Sequence, residues 1–211
     1  MRVDKIYMEI TTSCNMQCLY CYNDSGKKNY YMSFLELKKI MDAFLTNGIS
    51  SVGISGGEPL LHPEFEKIME YLVNKDCSKV VVTNGLLAPQ KLTKFLLSPE
   101  AKTDIQLSLD GGSASVNDQI RGVGHYQLVV DYMKLLAEQG YKTGLARMTI
   151  SRINQKEVES FIDLCLQYAF FPTFSFVVRS GRARDSWEET LLTYNERLKI
   201  IDQIRSVSLQ N

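Results

Sequence analysis

Apolar positions along the chain follow two alternating periods. Short runs rich in β-branched and aliphatic residues have the length and composition of buried β-strands. These runs lie near residues 6–10, 51–55, 79–83, 105–109, 145–150 and 173–178. Between them, apolar residues recur at the helical spacing i, i+3, i+4, i+7. The clearest stripes are Leu37, Ile40, Met41 and Phe44, then Phe65, Ile68, Met69 and Leu72, then Val158, Phe161, Ile162 and Cys165. Alternating strands and helices predict an α/β fold with a parallel sheet and right-handed crossovers.

The boundaries and the number of these units refine the prediction. Ser33 with Glu36 has the pattern of a capping box, and Asn154 with Glu157 resembles one. Six strand–helix units are fewer than the eight that close a TIM barrel. We therefore expect an open, partial (β/α)6 TIM-like barrel, with parallel strands and the helices outside. No linker or low-complexity stretch interrupts the pattern, so residues 1–211 are predicted to form a single domain.

Composition and charge narrow the class of protein. The 211 residues are 45% hydrophobic and 23% charged, as in ordinary globular proteins. Lys+Arg and Asp+Glu both number 24, which gives no net charge and does not favour nucleic-acid binding. The most apolar stretch, 168–178, contains Pro172 and is too short to span a bilayer. The N-terminus has no signal-peptide pattern. We therefore expect no membrane partner and a cytoplasmic location.

Three of the five cysteines crowd into one segment. Cys14, Cys18 and Cys21 have C-x3-C-x2-C spacing just past the first strand. In a reducing compartment this crowding indicates metal ligation. A structural zinc site is one interpretation, but it normally needs four protein ligands, and no fourth Cys or His is nearby. Three thiolates on a four-iron cluster would leave one iron open for a cofactor. Of the others, Cys165 belongs to a helical core stripe, and Cys77 has no assigned role.

The cysteine segment resembles the radical S-adenosylmethionine (SAM) superfamily. Tyr20 precedes the third cysteine, where that family commonly has an aromatic residue near the SAM adenine. Ser55-Gly56-Gly57-Glu58-Pro59 closes the second strand and matches the family's GGEP motif, which binds the SAM methionine amino group. The resemblance implies a [4Fe-4S] cluster on the three cysteines, with SAM bound by Tyr20, Gly56, Gly57 and Glu58. Read alone, the two glycines are a turn and Glu58 is a charge at a helix start.

Later strand ends carry further candidate cofactor-binding residues. Asn84 follows the third strand, and Ser108 and Asp110 follow the fourth, with Arg121 downstream. This region resembles the peptide- and protein-modifying (SPASM/twitch-associated) branch, in which the serine and the arginine match residues that hold the SAM carboxylate. Ordinary turn chemistry is the alternative for Asn84 and Asp110. The roles of Arg147 and Arg179, on the fifth and sixth strands, are left open, although Arg147 could point into the barrel mouth.

The resemblance implies reductive cleavage of SAM to a 5′-deoxyadenosyl radical that abstracts hydrogen from substrate. It also implies an external one-electron reductant of the flavodoxin or ferredoxin type. The leading hypothesis is a peptide or protein substrate, as in ribosomal peptide maturation. The alternatives are a small-molecule cofactor precursor or a non-catalytic module that binds a cluster or zinc. Members of that branch usually continue into a cysteine-rich domain with auxiliary clusters, and no cysteine follows Cys165. The pattern therefore predicts the core domain without that C-terminal domain.

Overall fold

The computed structural model describes residues 4–208 and is built on one six-stranded sheet. The strands pair in sequence order, β1-β2-β3-β4-β5-β6, and every pair is parallel. Their bounds are Lys5–Glu9 (β1), Ser51–Ser55 (β2), Ser78–Thr83 (β3), Thr103–Ser108 (β4), Leu145–Ile150 (β5) and Phe171–Phe176 (β6). The sheet curls into a half-barrel with helices around it, which confirms the predicted partial TIM-like barrel.

Helices lie between consecutive strands along the chain, and the last two helices follow β6. Their bounds are Phe34–Thr46 (α1), Phe65–Val73 (α2), Ala88–Lys91 (α3), Thr93–Leu96 (α4), Ala114–Arg121 (α5), His125–Glu138 (α6), Val158–Gln167 (α7), Trp187–Thr190 (α8) and Tyr194–Ser208 (α9). Within residues 4–208, none of these helices combines the length and apolarity needed to cross a membrane.

Most residues of the predicted helical stripes belong to the hydrophobic core. All four stripe residues of α2 and all four of α7 are buried. In α1 only Leu37 and Met41 are buried, while Ile40 and Phe44 are 37% and 40% exposed. The helical period was therefore right in α1, but the buried face is narrower than the stripe, because burial depends on where the sheet lies and not on the helix alone.

The capping predictions have different outcomes. The Ser33 hydroxyl accepts a hydrogen bond from the Glu36 backbone N–H, and the Glu36 carboxylate accepts one from the Ser33 N–H, so the capping box at α1 is confirmed. The box at Asn154 is wrong. Its side chain caps no helix and instead accepts a hydrogen bond from the Ser151 N–H, because it lies in the buried space between strand ends.

The inner face of the half-barrel is more open and more polar than the outer face. In β5, Ala146, Met148 and Ile150 are buried towards the helices, whereas Arg147 and Thr149 alternate with them and are only partly buried. The Tyr7 ring of β1 lies over Gly53 of β2, where an added Cβ would be 2.1 Å from the ring. Tyr7 nevertheless remains 52% exposed, so this inner face is accessible from solvent.

Candidate functional site

The three clustered cysteines lie in one loop at the carboxyl-terminal edge of the sheet. We term residues 10–31, which follow β1, the cysteine loop. Cys14, Cys18 and Cys21 are partly exposed in it, whereas Cys77 and Cys165 are buried in the hydrophobic core. Parallel α/β sheets place their chemistry at this edge. The three accessible thiols are therefore where a cofactor site is expected, and the two core thiols are not.

The Gly56-Gly57 pair after β2 touches the backbone of the cysteine loop directly. The Gly57 N–H donates to the Thr11 carbonyl at 2.7 Å, and the Glu58 N–H donates to the Ser13 carbonyl at 2.7 Å. A Cβ on Gly56 would lie 2.4 Å from the Thr11 oxygen, and one on Gly57 would lie 2.2 Å from the Ser13 oxygen. Gly56 also has a φ of +146°. Glycine is therefore required at both positions to place the segment that leads into Cys14.

Glu58 is fully buried and joins the ends of β2 and β3. One carboxylate oxygen accepts hydrogen bonds from the Thr83 hydroxyl at 2.8 Å and the Leu60 N–H at 3.1 Å, and the other accepts from the Asn84 N–H at 2.8 Å. Burial raises the pKa of Glu58 to about 7, against these three hydrogen bonds, which lower it. The predicted contact of Glu58 with the SAM amino group stays a prediction; the contacts seen in the structure fasten two strand ends together.

Asn84 links the end of β3 to the cysteine loop and to a buried histidine. Its amide nitrogen donates to the Asn15 side-chain oxygen at 2.8 Å. Its backbone carbonyl lies 2.9 Å from Nε2 of His125, whose Nδ1 lies 3.1 Å from the Asn117 amide nitrogen. With His125 neutral, Nε2–H donates to the carbonyl and Nδ1 accepts from the amide. No sequence motif marked His125. In the structure it is buried and hydrogen-bonded to the Asn84 backbone, which it holds in place.

This support predicts a pH dependence of stability. Burial, followed by the positive charge of Arg121, lowers the pKa of His125 from 6.5 to about 4. A lowered histidine pKa means that the unfolded chain binds the proton more tightly, so stability is retained above pH 6.5 and falls as the pH drops towards 4. The loss amounts to about 3 kcal/mol.

Urea unfolding of the wild type and of His125→Gln across this range measures the effect. The difference in unfolding free energy between the two proteins is expected to shrink by that amount as the pH falls from 7 to 4, since other titrating groups cancel in the difference. A difference that does not change with pH would contradict the assignment of a neutral, buried His125.

Asp110 and Arg121 form a buried ion pair beside Cys18. Arg121 Nε lies 2.7 Å from Asp110 Oδ2, and the two side chains are 11% and 0% exposed. The other oxygen of Asp110 accepts from the Thr149 N–H at 2.7 Å. Arg121 Nη1 points at Cys18 Sγ at 3.9 Å. Burial lowers the pKa of Arg121 and the Asp110 carboxylate raises it, with a net rise, so the guanidinium is charged.

Tyr20 and Asn154 connect the cysteine loop to the ends of β4 and β5. The Tyr20 hydroxyl donates to the Thr149 carbonyl at 2.9 Å, which anchors the ring beside β5. The Asn154 amide nitrogen lies 2.9 Å from the Asp110 carbonyl and 3.0 Å from the Thr149 carbonyl. Asn154 is 0% exposed. The only sequence feature that hinted at this role of Asn154 was its position just after the fifth strand.

A turn after β6 closes on the cysteine loop from the other side. The Arg182 N–H donates to the Cys21 carbonyl at 2.9 Å, and its guanidinium Nε donates to the Cys18 carbonyl at 2.9 Å. Gly181 has a φ of +54°, and a Cβ there would lie 2.2 Å from the Cys21 oxygen. No motif in the sequence marks this contact, because Cys18 and Arg182 are 164 residues apart.

The remaining candidates lie on or near the inner face. Ser108 is the last residue of β4 and pairs in register with Arg147 of β5, so both lie beside the site. The Tyr22 hydroxyl donates to the Glu9 carboxylate at the end of β1. Burial and Glu9 raise the pKa of Tyr22, and the positive charge of Arg147 lowers it. Arg179 instead stacks on the Trp187 ring at 5.9 Å.

The chemistry of the loop suits a soft, sulfur-bound group. Burial raises the pKa of the Cys14 thiol to about 11, and it also raises the pKa of Cys18. Both are thus neutral thiols that must lose a proton on binding metal. Thiolates select zinc, copper(I) and iron–sulfur clusters. Within residues 4–208, no three Cys, His, Asp or Glu side chains gather around one point as ligands of a single ion. By donor type, three thiols beside a guanidinium suit an anionic iron–sulfur cluster.

Comparison with known proteins agrees with this geometry. The model of the radical SAM superfamily matches residues 8–165, well over half of the chain. Mycofactocin maturase MftC of Mycobacterium tuberculosis is 30% identical over 200 residues, which cover 94% of this chain and 51% of MftC. GTP 3′,8-cyclase of Synechocystis is 26% identical over 206 residues, covering 96% of this chain and 62% of that enzyme.

One solved structure extends the comparison of the fold. SuiB of Streptococcus suis, crystallised with S-adenosylmethionine, superposes with a TM-score of 0.85 at 15% identity. The match covers 99% of this chain and 48% of SuiB. SuiB has also been crystallised with its precursor peptide SuiA. The chain spans about half the length of MftC and of SuiB.

Proposed function

The chain belongs to the radical SAM superfamily, and on that premise we propose that Cys14, Cys18 and Cys21 hold a [4Fe-4S] cluster used to cleave SAM reductively. The observation that carries the proposal is the arrangement of the three partly exposed thiols in one loop, held by contacts from the ends of the other strands. When bound, the cluster supplies the electron that splits SAM into methionine and a 5′-deoxyadenosyl radical, which takes a hydrogen atom from substrate.

The protein's own residues bind and orient SAM in this proposal. Gly56 and Gly57 are assigned to the methionine moiety through their backbone groups, which the close contact with Thr11 and Ser13 of the cysteine loop fixes at the end of β2. Arg121 and Ser108 are assigned to the SAM carboxylate, for which a guanidinium is well suited. The Tyr20 ring is assigned to the adenine and is fixed by the hydrogen bond of its hydroxyl to Thr149.

A second group of residues supports the residues that are assigned to SAM. Glu58, Asn84 and Asp110, which the motifs mark as cofactor-binding, hold the strand ends in register through buried hydrogen bonds. We assign them a positioning role in addition to any contact with SAM. Preorganised contacts of this kind set the orientation on which radical chemistry depends, because the cofactor performs the bond cleavage and the protein directs it.

We propose a peptide or protein as the substrate. The shared barrel with SuiB, which binds its precursor peptide SuiA, and the relation to MftC, a maturase, support this class. The open inner face, with Tyr7, Glu9, Tyr22 and Arg147, offers aromatic and charged groups to a peptide chain. We also propose a cytoplasmic location and an external one-electron reductant of the flavodoxin or ferredoxin type.

A small-molecule substrate is the alternative against which the peptide proposal is to be tested. GTP 3′,8-cyclase aligns with 96% of this chain, nearly the same span as MftC. A nucleotide would also find hydrogen-bonding groups on the polar inner face. The two classes differ in which molecule loses a hydrogen atom to the deoxyadenosyl radical, and this difference can be measured.

Deuterium transfer distinguishes the two substrates. The gene's neighbourhood is searched for a short open reading frame, and reconstituted enzyme is given SAM, reductant and either that peptide in perdeuterated form or perdeuterated GTP. If the substrate is the peptide, mass spectrometry will find deuterium in 5′-deoxyadenosine with the peptide and none with GTP. Deuterium transfer from GTP alone would replace the peptide proposal by the nucleotide one.

A further inference from the structure

Asp110 and Arg121 form a buried pair of opposite charges within reach of one cysteine of the loop. We propose that this pair sets the reduction potential of the cluster even when SAM is not bound. In this role Arg121 makes the cluster easier to reduce, and Asp110 limits that effect. The inference rests on the proposed function only in needing a cluster on Cys14, Cys18 and Cys21.

The Arg121 guanidinium contacts Asp110 through Nε and faces Cys18 with Nη1. Arg121 Nε and Asp110 Oδ2 lie 2.7 Å apart, yet neither atom has a hydrogen-bond partner of good geometry among the described residues. The contact is therefore ionic and poorly aligned. The outer nitrogen Nη1 instead points at Cys18 Sγ, 3.9 Å away. One guanidinium thus lies between a carboxylate and a cluster-ligand sulfur.

Asp110 is held more tightly than Arg121. Its Oδ1 accepts the Thr149 N–H, its carbonyl accepts the Asn154 amide, and its N–H donates to the Asn117 side-chain oxygen at 2.9 Å. The carboxylate has no exposed surface. These three contacts fix the negative charge in place, and Arg121 is drawn to it. The position of the guanidinium beside Cys18 is therefore built into the fold.

Electrostatics gives the two residues opposite effects. Reduction adds one negative charge to the cluster, so a nearby positive charge favours the reduced form and a nearby negative charge disfavours it. These interactions are strong because the site is buried, where charges are screened less than in water. Hydrogen bonds and charges around the sulfurs are known determinants of iron–sulfur potentials. Arg182 also lies near Cys18, but it stays constant when only the pair is changed.

The test is a spectroelectrochemical measurement of the cluster midpoint potential without SAM, followed by electron paramagnetic resonance. At the wild-type midpoint, Arg121→Gln is expected to lower the ratio of reduced to oxidised cluster about tenfold, which for one electron is a midpoint ~59 mV more negative. Asp110→Asn, which keeps the size of the side chain, is expected to raise the ratio. Arg121→Lys keeps the positive charge and is expected to stay nearer to wild type than Arg121→Gln.

The opposite signs separate electrostatic tuning from structural damage, which would not raise the ratio in one variant and lower it in the other. Equal midpoints in all four proteins, or shifts of the same sign in Asp110→Asn and Arg121→Gln, would overturn the inference. If Arg121→Gln fails to take up iron, Asp110→Asn still decides, because an unchanged or more negative midpoint contradicts the role of Asp110. A wild-type protein without any cluster would instead refute the proposed function.

Discussion

Cys18→Ala is expected to abolish both the iron–sulfur cluster and SAM cleavage. The cluster needs three thiolates to leave one iron open, and removing one leaves two ligands in a loop that has no other cysteine within reach. The Cys18 thiol also lies beside Arg121, and the Cys18 backbone carbonyl accepts a hydrogen bond from Arg182. After anaerobic reconstitution, iron and sulfide per chain should fall to background, and 5′-deoxyadenosine should not form.

Cys165→Ala is the matched control. Cys165 lies in α7 with no exposed surface, and burial raises its thiol pKa to about 12, so it is a neutral core side chain. Its removal should cost about 1 kcal/mol of stability through a small cavity, with cluster content and SAM cleavage unchanged. Loss of the cluster in this variant, or its retention in Cys18→Ala, would contradict the assignment of the ligands.

Gly57→Ala is expected to have the second largest effect. The added methyl group would lie 2.2 Å from the Ser13 carbonyl oxygen, far inside van der Waals contact, and backbone cannot move aside as a flexible side chain can. The cysteine loop must shift away from β2, which breaks the hydrogen bond from the Gly57 N–H to the Thr11 carbonyl. We expect iron content to fall several-fold and SAM cleavage to fall by more than tenfold, measured per chain.

Gly140→Ala controls for the general cost of replacing a glycine. Gly140 has a φ of +79° just past α6, and a Cβ there meets nothing within 4 Å. Left-handed backbone costs a residue with a Cβ about 1 kcal/mol, so thermal stability should fall slightly. The cluster should be retained. If both alanine variants lost the cluster equally, the effect of Gly57 would be one of global stability and not of its contact with the cysteine loop.

The fold was largely predictable because each β/α unit has a local signal. Strand runs and helical stripes report which side of each element is buried, and a parallel order follows from their alternation. The prediction failed where burial depends on neighbours distant in sequence. Ile40 and Phe44 continue the stripe of α1 but remain partly exposed to solvent. Asn154 is a residue type that often caps helix N-termini, but here its side chain lies between strand ends.

The local motifs of the site were predictable from the sequence, but the contacts between distant segments were not. The three cysteines and the glycine pair lie in short motifs whose spacing directly reflects a loop and a close backbone contact. Two hydrogen bonds had no such signal in the sequence. Arg182 donates to the Cys18 carbonyl and His125 to the Asn84 carbonyl, and each bond joins segments that meet only in the folded barrel. Glu58 shows a further limit: its motif predicts a contact with the cofactor, whereas the structure reveals its bonds between strands.

Anaerobic reconstitution of the wild-type protein decides whether it holds a cluster that cleaves SAM. The wild-type protein is reconstituted with iron and sulfide without oxygen, its iron and sulfide are counted, and dithionite and SAM are added. We predict close to four iron and four sulfide per chain and the formation of 5′-deoxyadenosine with methionine. Zinc in place of iron would refute the cluster, and a fully loaded cluster that leaves SAM intact would refute its role in SAM cleavage.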